Sequence, residues 1–255
     1  MSKNDTFTVD LPSRGVPYNG ALPEGKALLK PMGAAEEQIL FQQGDAMSHI
    51  RQIIDNCYMD ADKVPPEDLL VTDRMYILFM LRIQAFGPTY NGVPFRCSSC
   101  RAQRKISVNL LEDLDDQRMT DDQVEPFEVK LPHSGKKVQF RLLRGKDEIE
   151  VSRHAKRVLM RSNDAGDPSH RYRIGLQLVS IGGKTLDQAQ VPEDKQAALE
   201  FAQGLNLGDA AAFRAAVADV EPGIDLTIMK ECSKCGYINE FMMPFTAEFF
   251  QPSSR

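Results

Sequence analysis

Apolar residues recur along this chain in two rhythms, a helical one and an alternating one, and the change between them divides the sequence. Residues 1–33 follow neither. There Leu11, Val16, Tyr18, Leu22, Leu28 and Leu29 stand apart among prolines and glycines. Proline fixes its own φ and disfavours the helical region for the residue before it, so this stretch reads as an extended arm. Its spaced apolar anchors predict docking on another surface, because a disordered tail carries few such anchors. Residues 34–57 place Ile39, Leu40, Met47, Ile50, Ile53 and Ile54 at helical spacing, which predicts one helix. Residues 60–66 form a linker stopped by Pro65 and Pro66. A second helix is expected over residues 74–86, capped by Thr72 or Asp73 and ended by Gly87 and Pro88.

Short strand-like runs follow at residues 92–96 and 105–109, and again at 226–230 and 237–241. Between them, residues 110–126 are acidic and read as a solvated loop. The segments 127–131 and 137–142 alternate apolar and polar residues around a Pro-His-Ser-Gly turn, the pattern of a β-hairpin. Residues 145–220 read as all-helical, with helices over 146–162, 169–181 and 191–205, a loop at 163–168, and a last helix capped near Asn206. The first of these is basic, carrying Arg153, His154, Lys156, Arg157 and Arg161 opposite Ile149, Val151, Ala155, Val158 and Leu159. In an acidic chain that basic side reads as the solvated face of a packed helix. The expected class is α+β. Residues 1–33 form the arm, and residues 34–110 a helical region with the first half of a ribbon. Residues 111–222 form an inserted hairpin-plus-helices domain, and residues 223–255 the second ribbon half and a tail.

The ribbon reading comes from the cysteines. Four of the five fall in two Cys-x-x-Cys pairs, Cys97/Cys100 and Cys232/Cys235, each between strand-like runs. Such a turn sets two thiolates at a spacing suited to one ion, and zinc takes four in a tetrahedron. Gly236 suits the left-handed backbone that this kind of turn often needs. Two pairs sharing one Zn2+ is the leading reading. A redox site needs a low-pKa cysteine at a helix start, whereas hairpin sequence follows both pairs. A disulfide within either four-residue turn would be strained and would close almost no loop. A [4Fe-4S] cluster stays open, because spacing does not exclude it. Four thiolates close the coordination shell and leave no position for substrate. Cys57 is expected to be a semi-buried helical cysteine, and free thiols fit a reducing compartment.

Composition narrows the function. Hydrophobic residues make up 42% of the 255, enough for a real core, and 36 acidic against 31 basic residues give a net charge of −5. That charge argues against a dedicated nucleic-acid binder. No apolar run approaches a membrane span, and the first residues lack an apolar signal core, which predicts synthesis and folding in the cytoplasm. Phosphate-binding and nucleophile-elbow motifs are missing. His49, His133, His154 and His170 are scattered. The expectation is a protein that is not an enzyme.

Three stretches carry a resemblance. They are the arm Leu11-Pro12-Ser13-Arg14-Gly15-Val16-Pro17-Tyr18 with its continuation to Glu36-Glu37-Gln38-Ile39-Leu40, the run from Asp68 to Arg82, and Phe86-Gly87-Pro88-Thr89-Tyr90 leading into Cys97. In this order they resemble the T4-type baseplate protein family of contractile-tailed phages, over roughly the first 115 residues and the C-terminal cysteine pair. The resemblance implies a structural part of the virion at the central hub or inner baseplate, assembled in the host cytoplasm. Its partners would be hub, tube, tape-measure or wedge subunits in a symmetric assembly, with the arm binding a neighbour. An assembly chaperone that leaves the finished particle is the alternative, and an iron–sulfur or redox protein a further one. The family brings no catalytic residues.

Overall fold

The computed structural model describes residues 6–42, 46–161, 167, 169–244 and 247–250. The start of the arm, most of the loop expected at 163–168, the side chain of Met47 and the end of the tail lie outside these residues. The fold mixes helices and strands, as expected for α+β.

The arm folds as a closed unit. Strand β1 (Phe7–Asp10) pairs antiparallel with β2 (Lys26–Leu29). The turns between them require glycine. Gly25 has φ 68°, and a Cβ there would meet the Arg14 backbone at 2.3 Å; at Gly15, with φ 76°, it would meet the Leu22 carbonyl at 2.7 Å. Leu11, Tyr18, Leu22, Ala27 and Leu29 are all buried in the chain's own core. This corrects the sequence reading of residues 1–33. Four of the six anchors, Leu11, Tyr18, Leu22 and Leu29, are taken up by this chain's own core, while Val16 and Leu28 are half-buried. Burying each such side chain stabilises the contact by about 1.5–3 kcal/mol.

The segment expected as one helix is two, α1 (Ala34–Phe41) and α2 (Ala46–Cys57). Extended backbone at Gln42 ends the first. The α2 face of Ile53 and Ile54 is fully buried, and so is Cys57, whose thiol burial pushes up to about 12. Helix α3 (Val71–Phe86) starts three residues earlier than expected and ends at Gly87, φ 78°. Asp73 does not cap it. The carboxylate is buried and turned to the arm, accepting the Tyr18 hydroxyl at 2.5 Å and the Ser13 amide at 3.1 Å. The Tyr18 oxygen in turn accepts the Leu70 amide at 2.9 Å. Burial raises the Asp73 pKa, against the lowering pull of its Ser13 and Tyr18 donors.

Two antiparallel strands follow, β3 (Thr89–Arg96) and β4 (Gln103–Asn109). The acidic stretch is largely exposed, but it contains β5 (Asp116–Gln117) and a buried Met119. Strands β6 (Phe127–Lys130) and β7 (Lys137–Phe140) form the expected hairpin. Helix α4 (Gly145–Arg161) and α5 (Ser169–Gln177) come next. The expected helix to residue 181 stops at Gln177. Strands β8 (Leu178–Ile181) and β9 (Lys184–Thr185) replace its end, turning at Gly182 and Gly183. They extend the hairpin into a four-stranded antiparallel sheet, β6-β7-β8-β9. Helices α6 (Pro192–Gly204) and α7 (Leu207–Val220) follow, with Asn206 capping α7 through the Asp209 amide at 2.8 Å. Asp209 also accepts the amides of His133 and Ser134 at 2.7 and 3.0 Å, so α7 is clamped to the hairpin turn. Phe213 packs on Phe140 with ring centroids 5.2 Å apart.

Strand β10 (Gly223–Ile224) then pairs with β5, and β11 (Thr227–Glu231) pairs with β12 (Ile238–Met242). The β5–β10 pair brings the two ends of the inserted segment together. The main hydrophobic core runs through arm, helices, cysteine hairpins and insertion, and a small second cluster joins Leu143, Val151, Tyr172 and Leu176.

Candidate metal centre

The centre is made by two hairpins of the same local build. In the first, the Cys97 amide donates to the Ala102 carbonyl (2.9 Å) and the Arg101 amide to the Cys97 carbonyl (3.0 Å). In the second, the Cys232 amide donates to the Tyr237 carbonyl (2.9 Å) and the Gly236 amide to the Cys232 carbonyl (2.8 Å). The residue after each second cysteine is left-handed, Gly236 at φ 71° and Arg101 at φ 58°. Glycine adopts that conformation freely, whereas a side chain there is strained.

The hairpins meet tip to tip. Cys97 and Cys235 sulfurs lie 3.7 Å apart, Cys100 and Cys232 sulfurs 3.8 Å apart, and all four fall within 4.8 Å of one another. Four sulfurs around one ion at about 2.3 Å form a tetrahedron with edges of about 3.8 Å. The four cysteines predicted from sequence are therefore brought together at a spacing that fits a single metal ion. Cys97 and Cys232 are buried, Cys100 half-buried and Cys235 exposed.

The surroundings favour thiolates at two positions. Burial alone would raise Cys97, but the amides of Cys100 and Ser99, with Asn239 beside them, outweigh it and bring the thiol down to about 6. The Lys234 amide, opposed by burial and helped by the Cys235 amide, lowers Cys232. Against the lowering pull of the Ala102 amide, burial and the neighbouring thiols push Cys100 up to about 11. Crowded sulfurs behave this way, because charging one makes the next harder to charge.

Sequence reading missed the residues that join the hairpins. Asn239, buried on β12, accepts the Ser98 amide at 2.8 Å and the Ser98 hydroxyl at 3.0 Å, and donates to the Tyr237 carbonyl at 3.0 Å. Its amide also points at the Cys97 sulfur, 3.7 Å away. It orients a ligand loop of the other hairpin, the part played by outer-shell groups in metal sites. Arg104 spans the same gap, donating to the Glu231 carbonyl at 3.0 Å and to Ser233. Its guanidinium lies over Phe95, 5.0 Å from the ring centre. Phe95 meets Phe241 edge-on at 5.7 Å. A single Asn on an alternating strand gives no cue by itself; only the pairing of the two hairpins reveals its role.

The other polar residues singled out from the sequence lie elsewhere. His154 stacks on Tyr172 at 3.9 Å, His170 lies 3.5 Å from Asp167, and His133 takes part in the Asp209 clamp. On α4, Arg153, Lys156, Arg157 and Arg161 face solvent as expected, but so does Leu159, which was expected on the core side. Among the described residues no helix is long and apolar enough to cross a membrane.

No curated protein and no solved structure matches the chain. Among protein families, residues 13–251 match the one described as T4 bacteriophage base plate protein. The match joins the two parts of the resemblance, the first 115 residues and the C-terminal cysteine pair, across the insertion between them, and the chain belongs to this family of phage baseplate structural proteins.

Proposed function

We propose that this baseplate protein sits at the hub or inner baseplate of a contractile tail, where a zinc ion held by Cys97, Cys100, Cys232 and Cys235 staples the fold and the chain binds neighbouring subunits. The convergence of the four sulfurs carries the metal part of this reading. A closed shell of four thiolates adds rigidity and leaves no open position for reaction. A [4Fe-4S] cluster puts each thiolate on a different iron, which holds the sulfurs farther apart than they sit around one ion. The short sulfur contacts of 3.7 and 3.8 Å favour the single ion.

Subunit contact is supported by a difference between the hairpins. The outer face of β3–β4 is polar, carrying Asn91, Arg96, Gln103, Lys105 and Ser107, whereas that of β11–β12 exposes Met229, Ile238 and Met242, at 61%, 59% and 74%, interleaved with Glu231 and Glu240. Apolar side chains grouped on one exposed face mark a surface that another molecule covers, here a neighbouring baseplate subunit.

Elemental analysis of anaerobically purified protein tests the metal. About one zinc per chain in a colourless preparation is expected, and visible absorbance with bound iron would replace zinc by the cluster. Mass spectrometry of purified virions tests the place. Stoichiometric recovery supports a structural part, and absence from virions would turn the reading to an assembly chaperone.

A further inference from the structure

Arg74 on α3 is a buried cation without a counter-charge of its own. It is 7% exposed, and its hydrogen bond runs from Nη1 to the Pro66 carbonyl at 2.6 Å. Among the described residues it forms no ion pair. Burial holds its pKa below the usual range; Asp55, Glu67 and Glu148 pull it back up, and Arg51 adds to the lowering. The close approach of α4 leaves space for the guanidinium only because residue 145 is glycine, where a Cβ would meet Nη1 at 2.6 Å. A buried charge of this kind is normally paired.

Arg74 lines a cavity of about 340 Å³. Arg51, Lys146 and Arg153 bring three more cations to it, against the two carboxylates Asp55 and Glu67, and Lys146 is held by Asp68 at 2.7 Å. Asp55 is taken by Arg51 at 3.6 Å. The depression continues along α4, sharing Lys146 and Arg153 and adding Arg157 and the exposed Met160. The one acid there, Glu150, is already bonded to Tyr172 at 2.5 Å and to Lys195 at 2.7 Å. Arg153 and Arg157 make no ion pair among the described residues. A protein of net charge −5 thus brings Arg74, Arg153 and Arg157, none in an ion pair among the described residues, to one groove.

We propose that this groove binds an acidic, extended segment of a neighbouring protein subunit, one of whose carboxylates enters the cavity and pairs with Arg74. Arginine takes a carboxylate through two parallel hydrogen bonds. The rest of the segment runs beside Arg153 and Arg157, with apolar positions on Ile149 and Met160. The Glu67 and Asp55 carboxylates disfavour a nucleic-acid backbone, whose charges are continuous, whereas a peptide spaces its charges. The proposal deepens the subunit-binding reading by naming the partner's chemistry, and it is independent of the metal.

Fluorescence anisotropy of labelled deca-glutamate, titrated with the full metal-loaded chain, tests it. Saturable binding is expected, weakened by raised salt and by at least about tenfold in R153E/R157E. A labelled deoxythymidine decamer should bind more weakly than the peptide. R74M should lose affinity with the groove otherwise intact. If circular dichroism shows that R74M does not fold, the exposed pair Arg153 and Arg157 decides. No saturable peptide binding, unchanged affinity in R153E/R157E, or tighter binding of the decamer would overturn the proposal. Zinc content is measured on the same samples, so failure here is distinguishable from failure of the staple.

Discussion

The cysteine hairpins and the N-terminal arm solve the same problem by different physics. Each joins stretches of chain far apart in sequence. The arm does it by burying Leu11, Leu22 and Leu29 and by turning Ser13 and Tyr18 to the Asp73 carboxylate. The hairpins do it at their tips with four sulfurs and Asn239, while Met229, Ile238 and Met242 stay in water. The first join is spread over many separate contacts. The second is concentrated at one point. A concentrated join is strong when complete and has no partial state, whereas a distributed one weakens by degrees.

Removing the metal should separate the two regions most sharply. Chelation, or Cys232→Ser, is expected to destabilise the chain by above about 4 kcal/mol, the range typical of metal loss. Hydrogen exchange should then show the hairpins open while amides of β1 and β2 remain protected. Equal loss of protection in both regions would mean that the arm leans on the metal too. Next in size is Leu22→Ala, expected to lower stability by about 2–5 kcal/mol with zinc content unchanged. Denaturant unfolding with metal analysis of the same samples checks both halves of that statement.

Acidity should drive the two joins in opposite directions. Protons compete with metal for thiolates, so the hairpin join weakens as pH falls. The folded Asp73 carboxyl holds its proton more tightly than the unfolded one. Its contribution is therefore greatest below the unfolded value and declines as pH rises through the folded one. Thermal scans of Asp73→Asn beside the parent across the acid range should show the parent gaining relative to the variant as pH falls. Asn239→Ala is a smaller lesion. It should weaken metal affinity by about 10–100-fold, the usual effect of an outer-shell partner, and competition with a chromogenic chelator measures it. Smallest is the exchange of left-handed residues between the hairpins. Arg101→Gly should gain up to about 1 kcal/mol and Gly236→Ala should lose about as much, both readable as shifts in metal-loaded melting temperature.

Much of the metal site was legible because ligand spacing is a local property. Each Cys-x-x-Cys and its flanking strands can be read without knowing where the other lies. Asn239 could not be read, since its task exists only across the gap. The arm shows the same divide. Its prolines and glycines predicted an extended path, but an apolar anchor looks alike whether it covers its own core or a neighbour. Asp73 was read as a cap because it precedes a helical run, and burial beside Tyr18 overrode that local preference. Gly182 and Gly183 did signal a hairpin between Leu178 and Thr185. The helical rhythm before them masked it.

The two halves of the sulfur cluster are separated by the whole insertion, and that has a consequence for biosynthesis. Cys97 and Cys100 leave the ribosome early, with no companions until Cys232 and Cys235 are translated. A polypeptide truncated anywhere in the insertion lacks Cys232 and Cys235 and cannot bring the four sulfurs together. Convergence of the four sulfurs therefore requires translation to have passed Cys235, after the whole insertion has been made.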